Sequence, residues 1–358
     1  METLRIGVIG AGHLGRIHTR LAQTQEHIEL VGIVDPIDAT RQQVAAEFQL
    51  VPYASHHALI DRMDAAIIAT PTKYHRSVAV DLLRAGLHVF IEKPIAVTLD
   101  EAETIAYLAN HHQRVLQIGH VERFNPALIA AQPFLDQPKH IETKRTSGYS
   151  FRSTDIGVVL DLMIHDIDIV LSLCDSPVAH VDAVGTTVVG PHEDIAHARM
   201  EFENGCVVNL HASRVSRNTE RSMQILTDQG SVEVDFSGPT STFFENTRTA
   251  SHTDLQVDLL TPLQKDEIKE RFFKQVFVPR ELEITPSNAI LKEQQEFFSC
   301  IRKNARPQID GTVAISTMEV ASQILAAIQQ RQVHQASPQK PFATLADIAP
   351  IHGQRKAG

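Results

Sequence analysis

Short apolar runs alternate with stretches in which apolar residues recur every three or four positions through the first 120 residues. That is the pattern of strands alternating with amphipathic helices. Strands are predicted at Leu4–Ile9, Ile28–Val34, Ala65–Ala69, His88–Ile91 and Val115–Ile118. They are near-continuously apolar, which suits a parallel sheet buried on both faces. Leu14, Ile17 and Leu21 predict a helix after the first strand, with further helices at Asp38–Phe48, His75–Ala85 and Leu99–His111. Past residue 120 the rhythm changes. A helix at Ile156–Leu173 precedes consecutive β-like segments at Val178–Val189, Ile195–Phe202, Cys206–Ala212, Ser222–Leu226 and Val232–Phe236. Asn204-Gly205 and Gln229-Gly230 punctuate them as hairpin turns. The expected fold class is an α/β domain with a doubly wound parallel sheet (residues 1–122), then an α+β domain with an open, mostly antiparallel sheet (residues 123–340) and a tail (residues 341–358). Gly238–Pro286 is polar and poorly periodic and reads as loop-rich. Helices return at Asn288–Lys303 and Thr312–Gln330, and the residues after Pro338 read as surface wrapping.

The chain has 358 residues, 43% of them hydrophobic, which excludes wholesale disorder and accommodates about two domains. A formal net charge of -10 disfavours nucleic-acid binding through a basic surface. No uninterrupted apolar stretch approaches the ~20 residues of a membrane span, so no membrane partner is expected. The N-terminus lacks a basic segment and a cleavage site, and no signal peptide is read there. Cys174, Cys206 and Cys300 stand far apart in sequence; with neither a disulfide framework nor a zinc knuckle expected, a cytoplasmic location is the simplest.

Gly10-Ala11-Gly12-His13-Leu14-Gly15 fits G-x-G-x-x-G, directly after a strand and opening a helix. Gly10 permits the tight turn, Gly12 lets a pyrophosphate approach the backbone, and Gly15 lets helix and strand pack closely. Asp35 ends the next strand, twenty residues beyond Gly15, where a carboxylate accepts hydrogen bonds from ribose hydroxyls and repels a 2′-phosphate. Pro36 follows it, with no adjacent arginine, so the Rossmann-type cofactor expected is NAD.

Two further motifs are open when taken alone. Glu92-Lys93-Pro94 lies just beyond the strand His88–Ile91, at the carboxyl edge where open α/β sheets bind ligands. A solvated surface lysine would read the same way. Asp161 and His165 share one helix face at i and i+4, with Asp166 and Asp168 beyond them. That arrangement fits a metal cluster or simply an acidic helix with a packed histidine.

Together these motifs resemble a family. The glycine loop with Asp35, Ala69-Thr70-Pro71 followed by His75, Glu92-Lys93-Pro94, and Gly157-x-x-x-Asp161-x-x-x-His165 are similar to the Gfo/Idh/MocA family of NAD(P)-dependent sugar and polyol oxidoreductases. The resemblance implies a Rossmann domain, a second domain with an open sheet, and a homodimer or homotetramer. It makes His165 the base, Lys93 the group that polarises the reacting oxygen, and Asp161 an orienting residue. Cofactor contacts are expected from Gly10, Gly12, His13, Leu14, Gly15, Asp35, Thr70, Pro71, His75, Glu92 and Lys93. No metal is expected, because Lys93 supplies the electrophilic role.

His120-Val121-Glu122-Arg123-Phe124-Asn125-Pro126 taken alone reads as an interdomain linker whose Asn-Pro starts a helix. With Ser153–Asp166 it is similar to members that oxidise the C3 hydroxyl of UDP-N-acetylglucosamine. Those make a 3-keto sugar that a partner aminotransferase converts to a 3-amino sugar for lipid A or other surface glycans. On this resemblance Lys93, Arg123, Asn125, Asp161 and His165 form the substrate site. Lys144, Arg145 and Arg152, or Arg214, Arg217 and Arg221, are the candidates for the diphosphate, since a guanidinium fork suits phosphate oxygens. His56-His57 and His111-His112 read as solvent-facing pairs without metal-ligand spacing. The alternatives are a free sugar or polyol substrate, of inositol or glucose type, and a non-catalytic NAD-dependent sensor.

Overall fold

The structure is a computed structural model describing residues 2–247 and 257–334. Six parallel strands form the first sheet: β1 (Leu4–Ile9), β2 (Ile28–Val34), β3 (Pro52–Tyr53), β4 (Ala65–Ile68), β5 (His88–Glu92) and β6 (Leu116–Gly119), in the order β3-β2-β1-β4-β5-β6. Strand order reverses between β1 and β4, which opens a crevice at their carboxyl ends. Helices α1 (His13–Gln23), α2 (Asp38–Phe48), α3 (His75–Arg84) and α4 (Leu99–His111) connect the strands. Alternate strand residues pack to opposite sides: Ile68, Val89 and Ile91 against α3 and α4, Ile6, Ile67 and Phe90 against Phe297 and Phe298. This two-sided burial is why the strands are apolar at nearly every position.

The second sheet has eight strands in the order β14-β13-β12-β11-β7-β10-β9-β8. They are β7 (His140–Thr146), β8 (Val178–Thr186), β9 (Ile195–Phe202), β10 (Val207–Ser213), β11 (Glu220–Leu226), β12 (Gly230–Asp235), β13 (Thr240–Asn246) and β14 (Phe277–Glu281). Every neighbouring pair is antiparallel except β7 and β10. One face is covered by α5 (Pro126–Ala131) and α6 (Ile164–Cys174) with the π-helical turn Val159–Met163 before it. The other forms an open groove of about 850 Å³ lined by polar residues such as Lys144, His197, Arg199, His211 and Glu220.

The structure corrects the sequence reading in several places. Strand β7 is absent from that reading, because its alternation of Ile141, Thr143 and Arg145 inward is carried by only one apolar residue. The stretch read as loop-rich contains β13, β14 and α7 (Pro262–Arg271). Helix α7 buries none of its residues, so no apolar stripe marks it in the sequence. The tail and residues 248–256 lie outside the described residues. Cys174 and Cys206, thirty-two residues apart, are neighbours with Sγ atoms 3.6 Å apart, both free and buried.

The last two helices return to cover earlier structure. Helix α8 (Ala289–Lys303) places Phe297 and Phe298 beneath the first sheet. Helix α9 (Gly311–His334) is apolar enough over Gly311–Arg331, at mean hydropathy 1.4, to match a membrane span in length and composition. Its residues Ala314, Met318, Ala321, Ile324 and Ile328 are buried in the same core as α4, α6 and β8, as in the central helix of a globular protein.

Candidate active site

The glycine loop leaves β1 at Gly10, whose φ of 104° favours glycine; a Cβ there would meet the Ala69 carbonyl at 2.5 Å. A Cβ on Gly15 would stand 1.8 Å from the Gly10 carbonyl oxygen, so helix and turn touch there. At Gly12 a Cβ would meet nothing within 4 Å. Gly12 caps α1 without a side-chain hydrogen bond, so the first backbone N–H groups of the helix face an open cleft and suit an anionic group. That cleft, of about 500 Å³, is lined by Gly12, His13, Arg16, Thr40 and Gln43. Leu14 is partly exposed beside the loop.

Asp35 accepts hydrogen bonds from the Ala11 N–H at 3.0 Å and the Ile37 N–H at 2.9 Å, which tie the end of β2 to the loop. Arg41, six residues on, folds back to donate to the carbonyls of Asp35 and Pro36. The sequence shows no arginine beside Asp35; the first turn of α2 supplies one, engaged with Asp38. Thr70 has a buried hydroxyl oxygen without a partner among the described residues. These features fit a dinucleotide.

His75 lies inside the wall and not on its surface. It is 1% exposed, with ring nitrogens 2.9 Å from the carbonyl oxygens of Thr70 and Pro94. Burial lowers its pKa, and a neutral ring donates to only one of the two carbonyls. The residue braces the Ala69-Thr70-Pro71 turn against the Lys93–Pro94 turn, whose peptide bond is cis. Glu92 also points inward. Burial pushes its carboxyl up, but the hydrogen bond with His18 at 2.6 Å and the charges of His18, Lys93 and His75 hold it below the usual range.

Lys93 leaves the carboxyl end of β5 and meets the turn that precedes α6. Its Nζ donates to the Asp161 carbonyl oxygen at 2.5 Å and lies 3.4 Å from Asp161 Oδ1. Asp161 sits in the π-helical turn, a geometry that recurs at functional sites. The i, i+4 spacing to His165 is therefore spanned by a π turn running into α6, where a regular α-helix was expected. His165 stands in the first turn of α6, with its Nδ1 buried and unpartnered among the described residues. Burial lowers its pKa well below the usual imidazole value, and the nearby Lys93, Arg145, His120 and Arg221 push it the same way. Its resting form is the neutral imidazole, able to accept a proton.

His120 belongs to this site too, although in the sequence it is only the first residue of a longer motif. It follows the end of β6, whose Gly119 pairs with Glu92. Its ring stands edge-on to His165, with centroids 6.4 Å apart, and burial lowers its pKa as well.

Other predicted substrate residues are engaged elsewhere. Asn125 is buried: its Oδ1 accepts from the Ala127 N–H and its Nδ2 donates to Glu122 and the Phe236 carbonyl, so it caps α5 instead of facing a ligand. Arg123 pairs with Asp168 at 2.7 Å. Arg145 is held by Glu122 and Asp166, each at 2.7 Å, and Arg214 by Asp194 at 2.7 Å, in both cases out of solvent. Lys144 pairs with Glu220 on the opposite, open face.

Two groups stand at metal-ligand spacing among the described residues. His18, Glu92 and Glu293 are buried together, and His56, His57 and Asp81 meet on the surface of the first domain. His56 is half-buried, its Nε2 3.0 Å from Asp81 Oδ2, so only His57 of that pair faces solvent as expected.

The description of an oxidoreductase family with an NAD-binding Rossmann fold matches residues 4–120, and that of the GFO/IDH/MocA C-terminal domain matches residues 127–233. The chain belongs to the Gfo/Idh/MocA oxidoreductase family. It is 33% identical over 331 residues to the UDP-N-acetylglucosamine 3-dehydrogenase of Acidithiobacillus ferrooxidans, covering 92% of this chain and 98% of that protein. The solved structure of that enzyme superposes with a TM-score of 0.79 at 31% identity, over 92% of this chain and 99% of the other. The NAD-dependent scyllo-inositol 2-dehydrogenase of Bacillus subtilis is 27% identical over 60% of this chain and 68% of its own length. The WlbA dehydrogenase of Bordetella pertussis, solved with NADH and UDP-GlcNAcA, shares the fold at a TM-score of 0.72 and 18% identity, over 92% of this chain and 98% of the other. The protein is thus an NAD-dependent enzyme acting on CH–OH groups, and the non-catalytic sensor is set aside.

Proposed function

We propose that this protein oxidises the C3 hydroxyl of UDP-N-acetylglucosamine to the 3-keto sugar. The observation that carries the reading is the meeting of Lys93 with Asp161 beside a neutral His165, at the carboxyl end of β5. The end-to-end similarity to a UDP-N-acetylglucosamine 3-dehydrogenase supports the choice of substrate. NAD, when bound, accepts the hydride. The chain's own residues do the rest. His165 takes the hydroxyl proton, Lys93 donates a hydrogen bond to the oxygen as negative charge develops, and Asp161 holds the ammonium in place. The N-terminus of α1 holds the dinucleotide phosphates and Asp35 the adenosine ribose.

The product carries a ketone beside an acetamido group and is a substrate for an aminotransferase, which gives the enzyme a place in making 3-amino sugars for lipid A or another surface glycan. Self-association through the open face of the eight-stranded sheet gives a homodimer or homotetramer. A free polyol is the second reading, favoured by the similarity to inositol dehydrogenases. NADH formation measured by absorbance with UDP-N-acetylglucosamine, its C6 carboxylate, inositols and free sugars separates the two. Turnover with the UDP-sugars is expected; turnover confined to inositols or free sugars overturns the proposal.

A further inference from the structure

Resting on that reading, we propose that Arg221 binds the diphosphate of the nucleotide sugar. A sugar whose C3 lies between Lys93 and His165 carries its anomeric phosphate on the same pyranose ring. The diphosphate must therefore emerge within a ring's width of those residues, and two negative charges entering a chain of net charge -10 need a local cation. Most of the available cations are already neutralised. Arg123, Arg145 and Arg214 are locked against Asp168, Glu122 with Asp166, and Asp194. Lys144 is paired with Glu220 on the far side of the sheet.

Arg221 differs from all four. It is exposed and has no side-chain hydrogen bond or ion pair among the described residues. In the β7–β11 ladder it stands directly opposite Arg145, so both project from the same face of the sheet, the one that α6 covers. Arg145 is buried under that cover, whereas Arg221 remains open to solvent. Its backbone carbonyl accepts from the Phe236 N–H, which fixes the strand on which it sits. Its charge also reaches His165 and adds to the effects that keep that imidazole neutral. Arg152 and Arg217 are unpaired among the described residues as well, but both stand on connections between elements and not on a strand. Arg221 thus offers an undischarged fork, carried by a hydrogen-bonded strand, on the site side of the sheet.

The test compares the wild-type enzyme with Arg221→Gln and Arg221→Lys in steady-state oxidation of UDP-N-acetylglucosamine, with UDP alone as a competing ligand. Arg221→Gln is expected to raise the KM for the UDP-sugar and the Ki of UDP about ten- to hundredfold, the loss of one charge-assisted phosphate contact. The KM for NAD and the melting temperature stay unchanged, and Arg221→Lys recovers part of the loss. Raised salt should weaken UDP binding to the wild type more than to Arg221→Gln. An unchanged KM and Ki in Arg221→Gln, while the wild type turns over UDP-sugars, overturns the role of Arg221 alone. A wild type that neither oxidises any UDP-sugar nor binds UDP overturns the substrate reading, and this assignment with it.

Discussion

His165 is surrounded by conditions that favour its uncharged form: burial first, then the positive charges around it. A base must be unprotonated to act, so oxidation should hold its rate as pH falls through 6.5 and lose it only well below that. A kcat/KM profile placing the acid limb near or above 6.5 would contradict this. Replacing His165 with Asn should lower kcat by about 10²–10⁴-fold and remove that limb, since the group that takes the hydroxyl proton is gone. Lys93→Met should cost a similar factor through lost stabilisation of the oxygen. It also removes one of the charges acting on His165, so the ring should titrate at a higher pH in that variant, which NMR of labelled histidine can follow. NAD binding, measured by calorimetry, should survive His165→Asn because the glycine loop is unaltered.

At the scale of elements, what could be read in advance depended on whether the signal was local. The glycine loop, the Glu92-Lys93-Pro94 turn and the Asp161–His165 pair are short motifs whose chemistry lies within a few residues, and each sits at an element end in the structure. Arg123, Arg145 and Arg214 gave no such warning. Their partners Asp168, Asp166 and Asp194 come from other elements, so their discharge is a product of folding that sequence spacing does not encode. Asn125 differs, because its cap on α5 joins it to Ala127 two residues on, within reach of a local Asn-Pro signal. Glu293 on α8 is the same lesson in reverse. It is fully buried, neither carboxyl oxygen has a partner among the described residues, and it lies beside Glu92 and His18. Burial, then the charges of Glu92 and Glu296, raise its pKa well above 4.5, so the folded protein keeps a proton that the unfolded chain releases. Stability from this group is therefore full below pH 4.5 and declines as pH rises towards its folded pKa, by at most about 1.4 kcal/mol per pH unit. Glu293→Gln keeps the shape without the ionisation. Its melting temperature relative to wild type should rise as the pH is raised above about 4.5; a difference independent of pH would refute the buried proton.

Across the whole molecule, the chain builds its cleft by crossing between sheets and returning. The first sheet presents its carboxyl edge, the second contributes the helix bearing His165, and α8 comes back from the second half to pack Phe297 and Phe298 under the first sheet. That return was not legible, because the apolar face of α8 signals only that it is covered and not by what. The open face of the second sheet presents the same question on a larger scale. Across β7–β13 it exposes a polar groove, with no element of this chain covering it among the described residues. His197 and His211 lie side by side there, their rings tilted by 30° with centroids 4.1 Å apart, and Ser222 lies among the lining residues. A face this broad and this polar suits a mate that brings its own hydrogen bonds, as a second copy of the same sheet would. Sedimentation of the wild type should therefore give a dimer or tetramer. Ser222→Trp places a large ring where a facing sheet would pack, so it should shift the mass towards monomer while its circular dichroism stays that of the wild type. A wild type that sediments as a monomer, or an assembly indifferent to the Ser222→Trp substitution, would place any association on another surface.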